Sequence, residues 1–201
     1  MILSLLVLSS FILIKGPIPF DLDNPLTINV IKEIRIPKAI TAILAGASLA
    51  ASGLLMQTFF QNPLAGPFVL GIQSGSSLGV AFWVLGIKWL PWPIIEKFPF
   101  FEKLGLTLSS MLGCFTVLAL LFFLSLKISG KLILLIFGLI FSYIASGIIN
   151  IMSLLSQANE LKSFFLWSQG SFNRVSFDDL SLFAFFSCMA LLFSFLLFPF
   201  F

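Results

Sequence analysis

Long apolar runs separated by short polar breaks dominate the pattern of this chain. Six of these runs are long enough to enter or cross a bilayer. They cover residues 1–14, 39–60, 68–87, 104–126, 132–155 and 180–201. Runs of about 20 apolar residues are typical of transmembrane helices, whereas membrane barrels show alternating segments of about 10 residues. The pattern therefore predicts an all-α integral membrane protein with about six transmembrane helices.

The second run begins just after Pro37 and is rich in small residues. Proline is favoured in the first turn of a helix because its missing N–H would have no partner there. Small residues let helix backbones approach closely in lipid. We therefore predict a helix over 39–60 that packs centrally, and we expect its packing positions to include Gly46, Gly53 and Gln57.

The third run follows two turn signals, one at residues 61–63 and one at 66–67. It carries Gly71, Gly75 and Gly79 at four-residue spacing, which places three glycines on one face of a helix. Such a face allows a neighbouring helix to approach closely. We expect all three glycines to be helix-packing positions.

The fifth run has a polar face. Ser142, Ser146 and Asn150 follow each other at helical spacing, and Ser74 of the third run adds a further hydroxyl. Two interpretations stay open for these four residues. They line a wet pathway, or they form hydrogen bonds between helices.

The segment 157–179 separates the fifth run from the last. Its pattern predicts a short amphipathic or re-entrant helix around 164–167, followed by a turn at Gly170. This short element precedes the last membrane span.

Composition agrees with a membrane location, since 59% of the residues are hydrophobic and only 9% are charged. A mean hydropathy of +1.14 is incompatible with a surface that faces water on all sides. The net charge of +3 is spread along the chain, so no basic cluster for nucleic acid is present in the sequence. The chain has no His, and its two cysteines lie in separate runs, so we expect neither a metal site nor a cofactor.

Motifs for catalysis are also missing from the sequence. Gly130 and Lys131 lack the upstream glycine and the following Ser or Thr of a phosphate-binding loop. Asp178 and Asp179 are a carboxylate pair just ahead of the last run, where helix capping is the simpler interpretation. We therefore expect that the chain is not an enzyme.

One long stretch closely resembles a known family. Residues 35–75 read RIPKAITAILAGASLAASGLLMQTFFQNPLAGPFVLGIQSG. This resembles, in order and without gaps, the signature of permease subunits of ABC importers for iron–siderophore, haem and cobalamin. Trp167 with Gly170-Ser171-Phe172 resembles that family's Trp-x-x-Gly-Ser segment. Lys38, Gly66 and Ser76 depart from the usual Arg, acidic residue and Ala.

The resemblance implies a transmembrane permease in the bacterial inner membrane. In the family, two permease copies form a dimer, each usually with ten helices. A pair of separate ABC ATPase subunits docks inside and hydrolyses ATP, and an extracytoplasmic substrate-binding protein docks outside. The lipid bilayer is then the remaining partner, and no nucleic acid is expected.

The resemblance also implies roles for individual residues. Arg35 and Lys38 match basic positions that meet the acidic residues of the binding protein, although anchoring at the membrane interface is an alternative. Asn62 and Leu64 match an inner constriction of the pathway, and Ser129-Gly130 match a second one. An ordinary turn between helices is the alternative for the first constriction.

The charge pattern opposes the orientation implied by the family. The family places 61–67 and 127–131 in the cytoplasm, which puts only Lys127 and Lys131 inside and nine Lys and Arg residues outside. The positive-inside rule alone would invert the chain. We follow the motif, because the basic residues outside are interleaved with all eight acidic residues.

The resemblance covers the first part of a ten-helix permease. We therefore expect residues 1–201 to form a single transmembrane permease domain that is truncated, without the C-terminal spans and the ATPase-coupling segment. The function expected is import of iron–siderophore, haem or cobalamin type chelates. The alternative is a non-transporting fragment from a split or interrupted gene. The sequence does not indicate which chelate is carried.

Overall fold

The computed structural model of the protein describes residues 25–86, 99–128, 130–172, 175 and 177–197. Its regular elements in these residues are helical. They are α1 (Pro25–Val30), a π-helical turn (Ile31–Arg35), α2 (Ile36–Phe60), α3 (Ile72–Val84), α4 (Pro99–Ser125), α5 (Lys131–Leu155), α6 (Ala158–Ser168) and α7 (Phe177–Leu197). The predicted first span, Ser129, and the side chains of Asp178 and Asp179 lie outside the described residues.

Three stretches of the described chain are long and apolar enough to cross a membrane. They are Ile28–Phe60, Gly105–Ser125 and Lys131–Leu155, and a shorter apolar helix covers Leu180–Leu196. The all-helical fold class is thereby supported, while the predicted total of about six spans stays a prediction.

The third apolar run differs from its prediction. Only the 13 residues of α3 are helical, and residues 68–71 form turns before it. At 1.5 Å per residue α3 is about 20 Å long, which is less than the hydrocarbon thickness of a bilayer, about 30 Å. Gly71 ends the turn with a positive φ of 73°, and this left-handed conformation sets where α3 begins.

The prediction that the second helix begins just after Pro37 is wrong. The chain is already helical from Pro25, and a π-helical turn over Ile31–Arg35 carries the helix up to the proline. There the Ile36 N–H donates to the Ile31 carbonyl oxygen, five residues back. Because Pro37 has no N–H and its ring crowds the preceding turn, a wider turn before it lets the helix continue.

The described residues group into two compact units. The first unit contains α1, the π-helical turn, α2 up to Leu55, and α7. Within it Ala39 and Thr41 of α2 are buried, and the Thr41 hydroxyl donates to the Pro37 carbonyl oxygen at 2.8 Å. This bond to the preceding turn satisfies the hydroxyl inside its own helix.

The second unit, Met56–Gly170, contains the last residues of α2 and helices α3 to α6. Its larger apolar cluster lies beside the turns that precede α3. The buried members of this cluster are Phe60, Ala65, Leu70, Val117, Leu121, Leu134 and Leu135. A smaller cluster of Ala81, Leu85 and Met152 joins the ends of α3 and α5, and Phe164 of α6 packs against it.

Glycines set the spacing of the helices in the second unit. A Cβ atom added at Gly75 would lie 2.7 Å from the Gly113 carbonyl oxygen, and one at Gly79 would clash with the Ser109 carbonyl oxygen. The backbones of α3 and α4 are therefore in direct contact. Gly138 of α5 performs the same role opposite the turn that ends at Gly71. Larger side chains at these positions would force the helices apart.

Candidate functional site

The turn between α2 and α3 is built around Asn62. The Asn62 side-chain oxygen Oδ1 accepts the Leu64 N–H at 2.9 Å, and its carbonyl oxygen accepts the Ala65 N–H at 3.0 Å. Asparagine often stabilises a turn by bonding a backbone N–H two residues on. Pro63 supplies a fixed φ, which favours the same bend. The turn is therefore ordered by its own sequence.

Gln57, predicted as a packing position, contacts this turn. Its Nε2 donates to the Pro63 carbonyl oxygen at 3.2 Å, and its own carbonyl oxygen accepts the Asn62 N–H at 3.1 Å. Gln61 between them has φ of 50°, a left-handed conformation that costs a non-glycine residue some strain. The last turn of α2 and the bend after it are thus held as one piece.

The two residues after Pro63, Leu64 and Ala65, have contrasting environments. Ala65 is buried in the larger apolar cluster, whereas Leu64 is 85% exposed. The Leu64 side chain therefore projects from an anchored turn. A large apolar side chain held in this way suits a contact or a constriction, since its backbone is held by the turn although the side chain is exposed.

The linker before α5 lies at the same end of the second unit as this turn. Lys131 is the first residue of α5, and its Nζ donates to the Phe59 carbonyl oxygen at 2.8 Å. Gly130 precedes it in an extended conformation. The structure therefore brings Asn62 and Leu64 to the end of the unit where Gly130 lies, while Ser129 is outside the described residues.

The predicted polar face divides into two kinds of residue. Ser142 is half-buried and donates to the Gly138 carbonyl oxygen of its own helix at 2.9 Å. Ser146 and Asn150 are exposed further along α5, and Ser74 is half-buried on α3. The hydroxyl of Ser142 is thus used inside its helix, whereas Ser146 and Asn150 present polar groups on the surface of the unit.

The predicted docking residues lie in the first unit and differ in exposure. Arg35 ends the π-helical turn and is only 6% exposed, whereas Lys38 is half-buried. In the same unit Gly46 and Gly53 face open space among the described residues, because a Cβ built at either position meets nothing within 4 Å beyond its own helix backbone. The tight contacts belong instead to Gly71, Gly75 and Gly79.

Sequence reasoning missed three contacts of the second unit. They are the bond of Lys131 to Phe59, the partner role of Gly113, and a hydrogen bond of 2.7 Å between the hydroxyls of Ser76 and Ser110. The isolated glycine at 113 inside an apolar run was a usable signal of close backbone approach. Across the described ranges there is no group of three His, Cys, Asp or Glu residues placed to hold a metal ion.

Comparison with known proteins places the chain among transport proteins. The profile of the FecCD transport family matches residues 1–200. The molybdate import system permease protein MolB of Haemophilus influenzae is 32% identical over 176 residues, which is 85% of this chain and 48% of that protein. The hemin transport system permease protein HmuU of Yersinia pestis is 30% identical over 149 residues, covering 74% of this chain and 42% of that one.

A solved structure is also similar. A metal-chelate type ABC transporter in an inward-facing conformation superposes with a TM-score of 0.77 at 30% identity. The superposition covers 98% of this chain and 59% of that one. The chain thus spans about half the length of the proteins it resembles.

Proposed function

The chain belongs to the FecCD transport family, and we propose that it acts in the permease of an ABC importer for iron–siderophore, haem or cobalamin type chelates. The observation that carries this proposal is the match of the family profile to residues 1–200. One relative is named for hemin transport and another for molybdate transport, so a test has to include the oxyanion molybdate beside the chelates.

The turn carrying Leu64 is proposed as one part of a gate. Its support is geometric: Leu64 is exposed, its turn is tied to Gln57, and Ala65 anchors the turn in the apolar cluster. Apolar constrictions block a pathway because they exclude water and the solutes that it carries. Gly130 at the same end of the unit is proposed as part of the second constriction, together with Ser129.

Ser146 and Asn150 are the stronger pathway candidates of the polar face. Both are exposed on α5, whereas the Ser142 hydroxyl is already bonded to its own helix. Ser74 stays a candidate on α3. A large chelate crosses a pathway fastest when the lining binds it weakly, and hydroxyl and amide groups provide weak contacts that several substrates can share.

The partners proposed are those of an ABC importer: a second permease copy, a pair of ATPase subunits, and an extracytoplasmic binding protein. Docking of the binding protein is assigned to Lys38 more than to Arg35, because the Arg35 side chain is 6% exposed. A lysine offers a single point charge to an acidic partner, whereas arginine would offer a bidentate contact. The cytoplasmic membrane is the proposed location.

Uptake measurements test this function. The chain is expressed with ATPase and binding-protein genes from its source genome in cells that lack their own importers of this family. A ferric siderophore, haem, cobalamin and molybdate are supplied separately, and ATP-dependent accumulation of one of them is expected. No accumulation of any of the four, with or without the reading frame that follows the chain, would overturn the proposal.

A second arm of the experiment addresses the alternative, a non-transporting fragment. The 201-residue chain is expressed either alone or with the reading frame that follows it. Uptake only in the second case would favour the fragment interpretation, and uptake by the chain alone would exclude it.

The gate assignment has its own control. We expect Leu64→Ala to increase leakage of substrate in the absence of ATP, because the apolar side chain at the constriction becomes smaller. Leu126→Ala is the matched control, since Leu126 is also largely exposed, at 69%, near the same end of the unit. Equal leakage in the two variants would remove Leu64 from the gate.

A further inference from the structure

The ammonium group of Lys131 connects the end of α2 with the start of α5, which are far apart in sequence. Its Nζ donates to the Phe59 carbonyl oxygen at 2.8 Å, across 72 positions of sequence, and lies 5.0 Å from the centre of the Phe59 ring. A charged donor on a carbonyl oxygen is stronger than a neutral one, and a cation above an aromatic ring adds further attraction. Two interactions thus hold one side chain in place.

The position of Lys131 is unusual for a lysine. It is the first residue of α5, and the positive end of the helix dipole disfavours a cation there. The last turn of α2, by contrast, exposes carbonyl oxygens and carries the negative end of its dipole. The placement of this charge is therefore explained by the end of α2, which it caps, rather than by its own helix.

Phe59 links Lys131 to the interior of the second unit. The rings of Phe59 and Phe60 meet edge to face, with centroids 4.9 Å apart, and Phe60 is buried in the larger apolar cluster. Gln57, one turn earlier, holds the Pro63 carbonyl oxygen. A continuous series of contacts therefore runs from Lys131 through the end of α2 to the turn that carries Leu64.

We propose that Lys131 is a positioning residue for the gate. It holds the Leu64 turn against the start of α5, so that this turn and the linker before α5 move together during transport. Their role as a gate rests on the function proposed above. Lys131 acts through Phe59 and is not itself proposed to touch the substrate.

Spectroscopy on the assembled transporter in liposomes tests the positioning role. A nitroxide is attached at Leu64→Cys after Cys114 and Cys188 have been replaced by alanine. Lys131→Met keeps the length of the side chain but removes the donor and the charge, so we expect a more mobile label. Lys131→Arg should keep the label immobile, and so should Lys127→Met, which removes another exposed lysine of the same linker.

An unchanged label in Lys131→Met would overturn the proposal, as would equal mobilisation by Lys127→Met. Measuring the mobility of the label needs no substrate, so the result is independent of the proposed function. If the parent transporter imports none of the four substrates while the label still responds to Lys131→Met, the proposed function fails and the positioning role stands.

Transport provides the second readout. We expect Lys131→Met to lower the maximal uptake rate about threefold to tenfold, the range for losing one hydrogen bond to a charged but exposed group. The substrate concentration at half-maximal rate should stay the same, because binding-protein docking is not altered. Lys131→Arg should restore the rate.

A chemical rescue covers the case in which Lys131→Met does not fold. Lys131→Cys in the same cysteine-free background is modified, after reconstitution, with an aminoethyl or with an ethyl thiosulfonate. The two products differ by an ammonium group on an already folded protein. Faster uptake with the aminoethyl group is expected, and equal rates with both reagents would overturn the proposal.

Discussion

The Gly75 carbonyl oxygen of α3 lies directly against Gly113 of α4, where an added Cβ atom would clash with it. The contact is reciprocal, since a Cβ at Gly75 would meet the Gly113 carbonyl oxygen at 2.7 Å. In lipid, helices gain little from hydrophobic burial against each other, so close backbone packing is the main source of their association. This pair of glycines therefore fixes the distance between α3 and α4.

Gly113→Ala should destabilise the second unit. The added methyl group cannot be accommodated without separating the two backbones, and overpacking of this kind costs about 1–3 kcal/mol. The midpoint of thermal unfolding in detergent measures the loss. Gly147→Ala in α5 is the control, because a Cβ there meets no atom within 4 Å. Equal midpoints for the two variants would contradict the packing role.

Gly71→Ala and Gly170→Ala separate backbone strain from steric clash. Both glycines have positive φ, 73° and 67°, but within the part of the chain that the structure describes only a Cβ at Gly71 would meet another element, at the Gly138 carbonyl oxygen 2.6 Å away. We expect a cost of about 1 kcal/mol for Gly170→Ala from the left-handed conformation alone. Gly71→Ala should cost at least about 2 kcal/mol, since clash adds to strain. Comparable unfolding midpoints would show that the clash is absent.

The hydroxyls of Ser76 and Ser110 should be coupled. They lie 2.7 Å apart between α3 and α4 and are half-buried. A double-mutant cycle with Ser76→Ala, Ser110→Ala and the combined variant isolates the pair. Hydrogen bonds between membrane helices contribute about 0.6 kcal/mol on average, so a coupling energy of that size is expected. A coupling of zero would mean that the hydroxyls bond elsewhere in the membrane.

Asn62→Ala should loosen the turn before α3, whereas Asn62→Asp should keep it. The Leu64 N–H needs an acceptor on side chain 62, and aspartate supplies one while alanine does not. Losing one hydrogen bond of about 1 kcal/mol raises the fraction of molecules in which this turn is open about fivefold. Limited proteolysis at residues 61–67 in detergent measures this fraction. Equal cleavage of the two variants would show that the side-chain bond does not order the turn.

The orientation of the second unit in the membrane can be measured by labelling introduced cysteines. The contact of Lys131 with Phe59 puts the linker before α5 at one end of the unit, and the 25 residues of α5 extend about 38 Å to the other end, near α6. In spheroplasts, an impermeant maleimide should reach Lys162→Cys of α6. Lys127→Cys should react only after permeabilisation, in a background without the native cysteines. Labelling of Lys127→Cys in intact spheroplasts would show the opposite orientation, which the positive-inside rule favours.

Local sequence was sufficient to locate several elements. The break at 61–63 was predicted from turn residues and the break before α5 from the gap between two apolar runs, and the structure places turns at both. A short helix was predicted around 164–167 and is present as α6, where Gln157 and Glu160 form a capping box. Turn and capping preferences act within a few residues, so they can be read without knowledge of the fold.

The start of the second helix could not be predicted in the same way. Pro37 is a favourable first residue of a helix, but it also follows a π-helical turn that absorbs its missing N–H. Which of the two arrangements forms depends on how residues 25–36 pack, and their apolar periodicity is weak. The length of α3 was overestimated because apolar residues continue through the turn before Gly71, where backbone conformation rather than hydropathy ends the helix.

By itself the sequence determined the membrane environment, the helical class and the family resemblance, because these follow from composition, run length and an ordered motif. Only the tertiary structure decided which glycines make contact: Gly75 meets Gly113, whereas Gly46 and Gly53 meet no neighbouring element among the described residues. It also paired Lys131 with Phe59. A glycine or a lysine has the same local preferences whether or not a partner lies opposite, so contacts between distant segments are fixed by how the helices pack against each other.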